Sequence, residues 1–239
     1  MRLDKYISDA AAYSRREIRK LVRYKAVTVN GAVAPAPDIQ VDSSDEIRLN
    51  GEIIRYRKYV YLMLNKPQGY LSATEDRHDP VVTDLVPEKF RHFNVFPVGR
   101  LDKDTEGLLL LTNDGQFDHA LTSPKKNVMK RYYAELDRPA VSEDVKSFRS
   151  GMEFPDFTAQ PALLEITNDP AKVYIEIAEG KFHQVKRMCQ KIGKEVVFLK
   201  RVAIGPLLLD STLPPGKMRE LTKEEYRLLI PDADENRTR

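Results

Sequence analysis

Gly99-Arg100-Leu101-Asp102-Lys103-Asp104-Thr105-Glu106-Gly107-Leu108-Leu109-Leu110-Leu111-Thr112-Asn113-Asp114-Gly115 is the stretch on which the reading of this chain turns. It follows Val95-Phe96-Pro97-Val98, an apolar segment that reads as a buried strand. A glycine ends that strand, a charged loop follows, and four leucines closed by Asn-Asp-Gly read as a second buried strand. A loop held between two rigid strands is where a scaffold can fix the geometry of reactive side chains. Taken alone, an aspartate in such a loop is a turn or cap residue. What surrounds it must decide.

Outward from this loop, strand and helix signals are mixed. Tyr59 to Leu64 reads as a strand, ended by the turn residues Asn65-Lys66-Pro67-Gln68-Gly69, while Tyr132 to Leu136 and Val173 to Ile177 alternate apolar and polar residues. Residues 116–121, 142–148, 183–192 and 223–229 carry helical patterns. Strands and helices in this order fit an α+β fold better than regular βαβ alternation. The polar run Arg55-Tyr56-Arg57-Lys58 marks a boundary, giving one domain over 1–58 and a larger one over 59–231. Residues 232–239 read as a polar tail.

Composition removes several classes of function. The 239 residues are 41% hydrophobic and 31% charged, enough for a sizeable core in a soluble chain. No apolar run approaches the ~20 residues of a membrane-spanning helix, and the opening Met1-Arg2-Leu3-Asp4-Lys5 lacks the apolar stretch of a secretion signal. A lone cysteine, Cys189, allows no internal disulfide and fits a reducing cytoplasm. The histidines at 78, 92, 119 and 183 lack the spacing of a structural zinc site. There is no glycine-rich phosphate loop and no nucleophile elbow.

The net charge of +3 is small, but its placement is informative. Residues 1–25 carry eight basic side chains against three acidic ones, whereas the chain beyond 58 carries 27 basic and 28 acidic. Leu3, Tyr6, Ile7 and Ala10 recur at helical spacing. Ser14-Arg15-Arg16-Glu17 then has the form of a capping box, opening a helix whose apolar face is Ile18, Leu21 and Val22. Its other face presents Arg15, Arg16, Arg19 and Arg23. Val27-Thr28-Val29-Asn30-Gly31-Ala32-Val33 reads as a hairpin on a type I′ turn, and residues 46–49 as another strand. A cationic helix on a small α/β module is how an appended anion-binding domain would look.

Two short helices followed by this hairpin resemble, over roughly residues 1–50, the RNA-binding domain named after ribosomal protein S-four. The resemblance makes Arg15, Arg16, Arg19 and Lys20 the candidate phosphate contacts, acting through counterion release. In the body, Gly-Arg-Leu-Asp-x-x-Thr-x-Gly-Leu-Leu at 99–109 resembles the signature of the RNA pseudouridine synthases. Three more segments match in order: Asn65-Lys66-Pro67-x-Gly69, Lys130-Arg131-Tyr132, and residues 179–188, which read Glu-Gly-Lys-Phe-His-Gln-Val-Lys-Arg-Met. Residues 201–207 extend the likeness, which spans about 59–229. Within the family, Asp114-Gly115-Gln116-Phe117-x-His119, Thr122-Ser123-Pro124 and Lys186 resemble the ribosomal small subunit pseudouridine synthase A group.

The resemblance implies a catalytic domain built on a mostly antiparallel mixed sheet flanked by helices. It implies isomerisation of a specific uridine in small-subunit (16S) rRNA, with ribosomal RNA as partner, in an assembly intermediate, and a cytoplasmic monomer. No atom is gained or lost in that reaction, so it implies neither cofactor nor metal. Asp102 becomes the essential catalyst, as nucleophile, as base at the 2′ carbon, or as a stabiliser of positive charge. Lys186 becomes its cationic partner, and Tyr132 the aromatic placed against the uracil. Arg100 is a candidate for the neighbouring phosphate or for the gap left by an extruded uridine. Asp104 reads as solvated, Tyr133 as packing, and His183 and Gln184 as ordering a helix start. Phe96, Leu108 and Ile204 are wall or core residues. Two alternatives stay open: a synthase for large-subunit (23S) rRNA, and a non-catalytic RNA-binding assembly factor on the same scaffold.

Overall fold

The computed structural model describes residues 1–11, 13–42 and 44–231; the tail expected at 232–239 lies outside the described residues. The chain forms two compact units. Among the described residues, the first takes up 1–60 together with 86–95, and the second 61–85 and 96–231.

The first unit contains helices α1 (Leu3–Ala11) and α2 (Arg15–Arg23), strands β1 (Val27–Val29), β2 (Ala32–Val33), β3 (Ile47–Leu49) and β4 (Glu52–Ile54), and the short helix α3 (Glu88–Arg91). The capping box forms as its sequence dictates. The Ser14 amide donates to Glu17 at 2.8 Å and the Glu17 amide donates to the Ser14 hydroxyl at 3.3 Å. Asn30 and Gly31 take φ of 51° and 83°, the left-handed values that a type I′ turn requires. The strands run β2-β1-β3-β4. Leu3, Tyr6 and Ile7 of α1 and Ile18 and Val22 of α2 pack with Val27, Ile47 and Leu49 into one core. That packing turns the opposite face of α2 to solvent, with Arg15, Arg16, Arg19 and Lys20 all exposed.

The second unit is a mixed sheet flanked by helices. Its elements are β5 (Tyr61–Lys66), β6 (Phe96–Val98), β7 (Glu106–Thr112), α4 (Gly115–Thr122), β8 (Lys130–Leu136), α5 (Ser142–Ser150), β9 (Met152–Glu153), β10 (Thr158–Ala159), β11 (Leu163–Ile166), β12 (Lys172–Ile177), α6 (Gln184–Lys191), β13 (Val196–Ile204), β14 (Leu207–Leu208), β15 (Met218–Glu220) and α7 (Lys223–Leu229). The main sheet runs β11-β12-β8-β13-β7-β5-β15, with β6 on β7 and β14 on β13. Every neighbouring pair is antiparallel except β7 with β13. At that parallel pair Gly107 faces Arg201. A Cβ on Gly107, whose φ is 101°, would lie 2.2 Å from the Arg201 carbonyl oxygen, so only glycine fits.

Two expectations need correction, and one strand was not foreseen. The strand expected over Tyr59–Leu64 runs from Tyr61 to Lys66, and all six residues are buried. Its polar end, Asn65-Lys66, stays in the strand because β7 pairs with both residues on one side, while on the other the Asn65 amide donates to the Lys217 carbonyl at 3.2 Å and the Asn65 carbonyl accepts from the Gly216 amide at 2.8 Å. Phe96 and Pro97 of β6 are half-buried rather than fully buried. The central strand β13 carries no clear period-2 signal in sequence. Register shifts at Val196/Phe198 and Arg201/Ala203 break the alternation that would have announced it.

Candidate active site

Asp102 sits in the loop between β6 and β7, and buried contacts hold that loop from one side. Ser72 grips the preceding residue in both directions. Its hydroxyl donates to the Leu101 carbonyl at 2.8 Å and accepts from the Leu101 amide at 3.0 Å. The Gly69 amide donates to the Lys103 carbonyl at 2.8 Å. Lys66, fully buried at the end of β5, points its ammonium at four carbonyls: Thr105 (2.9 Å), Asp102 (3.0 Å), Pro67 (3.1 Å) and Lys103 (3.3 Å). Burial pushes its pKa down to about 8, against the pull of Asp104, Asp102 and Glu106. The sequence motif contains Lys66 without indicating this role. The signal available was a lysine inside a strand pattern, where a buried ammonium must find acceptors.

With its backbone held, the Asp102 carboxylate is left partly open, 29% exposed, and faces an imidazole and an ammonium on the other side. His183 Nε2 lies 3.6 Å from one carboxylate oxygen and Lys186 Nζ 3.6 Å from the other. Lys186 lies closer to Asp104, at 2.5 Å. The solvated reading of Asp104 holds for its exposure but leaves out this ion pair. Its side chain is 69% exposed yet ion-paired. Partial burial opposes its ionisation, but the hydrogen bond and charge of Lys186 outweigh this and hold the carboxyl below its ordinary value. Lys186 is placed by α6, whose first residues are fixed by Gln184: this buried side chain accepts from the Lys181 amide at 3.0 Å and donates to Glu179 at 2.9 Å.

Tyr132 lies on β8, opposite Arg201 of β13 and Ile175 of β12. It is buried and lines the cleft of Asp102 together with Arg100, His183 and Lys186. The same tyrosine and Arg100 also line an adjoining cavity of about 340 Å³, walled by Val98, Leu121 and Ile204 and carrying Lys130 and Arg201. Tyr133 faces the other side of the sheet, where its hydroxyl donates to Glu135 at 2.8 Å. Of the wall candidates, Ile204 reaches this cavity and Leu108 is buried in the sheet. The structure thus brings Asp102, Tyr132, Lys186 and Arg100 around one cleft. Arg15, Arg16, Arg19 and Lys20 lie together on α2 in the first unit.

Comparison with known proteins agrees with this architecture. The RNA pseudouridylate synthase family matches residues 60–191, and the S4 domain matches residues 1–47. An uncharacterised RNA pseudouridine synthase of Bacillus subtilis, YtzG, is 47% identical over 236 residues, covering 96% of this chain and 98% of that protein. Ribosomal small subunit pseudouridine synthase A of Escherichia coli K12 is 37% identical over 234 residues, covering 96% of this chain and all of that one. A crystal structure of a pseudouridylate synthase superposes with a TM-score of 0.69 at 36% identity, across 96% of this chain and 100% of that chain. With both family matches and whole-length relatives in place, the chain belongs to the RNA pseudouridine synthases, in the group that includes ribosomal small subunit pseudouridine synthase A.

Proposed function

We propose that this chain isomerises one uridine of small-subunit rRNA to pseudouridine, with Asp102 as the essential catalyst. The observation that carries this reading is the Asp102 carboxylate itself: open to a cleft, beside a buried tyrosine, with the Lys186 ammonium and the His183 imidazole each 3.6 Å away. In the reaction the N1–C1′ bond breaks, the uracil turns, and a C5–C1′ bond forms. The C5 proton is released and N1 regains one. Attack at C1′, removal of the 2′ proton and stabilisation of developing positive charge all need Asp102 ionised and reachable. Lys186 and His183 each lie 3.6 Å from one of its oxygens and orient the carboxylate. Tyr132 bounds the space in which the uracil would turn, and Arg100 stands at its rim. A uridine stacked in a helix cannot reach this carboxylate, so the substrate nucleotide is extruded, at a cost of a few kcal/mol.

The division of labour we propose is an RNA-binding domain with its linker over 1–58 and a catalytic domain over 59–231. Arg15, Arg16, Arg19 and Lys20 bind phosphates, and that anchorage offsets the cost of extrusion. The assignment to small-subunit rRNA is supported by relatives whose names carry that subunit. On this reading the protein works in the cytoplasm as a monomer on a ribosomal assembly intermediate.

The test is carbodiimide-dependent reverse-transcription mapping on both ribosomal RNAs from cells with and without the gene. One stop lost from small-subunit rRNA is the expected result. A stop lost from large-subunit rRNA instead would overturn the substrate and keep the chemistry. Loss of neither would count against the reaction on ribosomal RNA altogether.

A further inference from the structure

We infer that Phe182 is a stacking platform for a nucleobase of the bound RNA, one aromatic ring removed from Asp102. Phe182 is 73% exposed, an unusual state for a phenylalanine beside a polar cleft. Its ring stacks on His183, with centroids 3.8 Å apart and planes 18° from parallel. His183 in turn sits 3.6 Å from the Asp102 carboxylate. One face of Phe182 is thus taken by an imidazole at the active site, and its exposure leaves the other face to solvent.

The ring is presented by a braced segment. Glu179, itself buried, accepts from the Gln160 amide at 2.8 Å and from the Gln184 side chain at 2.9 Å. Gln184 accepts from the Lys181 amide and donates its own amide to the Lys181 carbonyl at 3.1 Å. His183 adopts a left-handed φ of 51°, which sets the turn that carries the two rings. A ring held this way loses little further freedom when a base lands on it.

The neighbours indicate what lands there. Lys181 precedes Phe182 in the chain, and both Lys181 and Arg100 line the Asp102 cleft. Cations alternating with an exposed aromatic ring are the means by which proteins hold unstacked nucleotides: charges for the phosphates, a π-face for the base. An extruded uridine leaves a neighbouring base without its stacking partner, and Phe182 offers a replacement. This inference rests on the reading of Asp102 as the catalytic centre of an RNA-modifying site.

Two experiments test it on the full chain. The first measures tritium release from small-subunit rRNA transcribed with 5-tritiated uridine, for Phe182→Ala, Phe182→Leu and Phe182→Tyr. Loss of a stacked base is expected to raise the half-saturating RNA concentration on the order of tenfold in the alanine and leucine variants. The tyrosine variant should behave as the parent, and kcat at saturating RNA should change less than about twofold in all three. The dependence of binding on salt should keep its slope, because stacking releases no counterions. A leucine variant as good as phenylalanine, or an alanine variant with unchanged half-saturation, overturns the platform. The second experiment uses the absence of tryptophan from this chain. Phe182→Trp, placed in the Asp102→Asn background, gives a single indole that the same rRNA transcript should quench on binding. RNA that binds without quenching overturns the platform whatever Asp102 does. Tritium release that survives Asp102→Asn overturns the reading of Asp102 and leaves the quenching result to stand alone.

Discussion

The loop that carries Asp102 and the basic face of α2 are both rich in charge, yet the protein builds them in opposite ways. The α2 face is local. A capping box opens the helix, three apolar residues pin one side to a core, and Arg15, Arg16, Arg19 and Lys20 stand in solvent. The Asp102 loop is held by residues far away in sequence. Lys66, Gly69 and Ser72 fix its backbone from one side, and Lys186 and His183 reach its carboxylates from another. A surface that only has to attract phosphates tolerates mobile side chains, because the attraction falls off slowly with distance. A carboxylate that, on the proposed reading, has to meet one carbon of a sugar does not, since a misplacement of about 1 Å can cost a hundredfold in rate.

This contrast predicts where mutations will act. The largest effect belongs to Asp102→Asn: tritium release should fall by more than about a thousandfold, while filter binding of the rRNA transcript stays within about twofold. Wild-type turnover in that variant would remove Asp102 from the mechanism.

Lys66→Met comes next, although its side chain never faces the cleft. Four carbonyls lose their donor, and kcat should drop about a hundredfold as the loop shifts. A chemical denaturation curve should show a loss of about 1–3 kcal/mol. The same lysine gives a pH signature with two opposite signs. Its folded pKa is about 8, against about 10.4 in the unfolded chain. Both states hold the proton below pH 8. Between the two values the unfolded chain holds more, so this group makes folding more favourable as pH rises. The grip on the loop runs the other way, because a neutral amine offers only two hydrogens to four carbonyls. Turnover should therefore fall as pH passes about 8, with no loss of thermal stability attributable to Lys66. Turnover that stays flat to pH 10 would show that the clamp does not depend on this charge.

A smaller effect separates the two acids that share Lys186. Lys186→Gln should lower kcat by roughly ten- to a hundredfold if its work is to orient Asp102, 3.6 Å away. Asp104→Asn should cost less than about threefold, since an exposed pair contributes little. Reversal of that order would make the 2.5 Å contact with Asp104 the one that matters.

The smallest effect per residue lies in the first unit. Neutralising Arg16 or Arg19 should weaken binding several-fold and reduce the slope of log affinity against log salt by about 0.7–0.9 for each phosphate left without its cation. Turnover at saturating RNA should not change. If either substitution lowered kcat, the helix would be acting in the chemistry rather than in anchoring.

Much of this was legible in the sequence. The capping box, the Asn30-Gly31 turn and the buried run of leucines are local patterns, and each forms the element its residues favour. Gly107 was readable only as part of a motif. Its reason is the backbone of β13, a strand whose register shifts hide it from a search for alternation. Asp104 reads as solvated from its own surroundings in the chain, because its cation, Lys186, comes from a helix 82 residues further on. Phe182 stood in a recognised motif without a role, since exposure is a property of the folded surface and not of the string.

By itself, then, the sequence determined the family, the amino-terminal module with its basic helix, and the candidate acid in the β6–β7 loop. These depend on residue type and short-range spacing, which the chain states directly. Only the tertiary structure decided what holds that acid and what it faces. Lys66 finds its carbonyls, Lys186 and His183 reach the two carboxylate oxygens, and Tyr132 closes the cleft through contacts between segments far apart in the chain. Their distances are fixed by how the sheet packs and where α6 begins, and no local pattern encodes them.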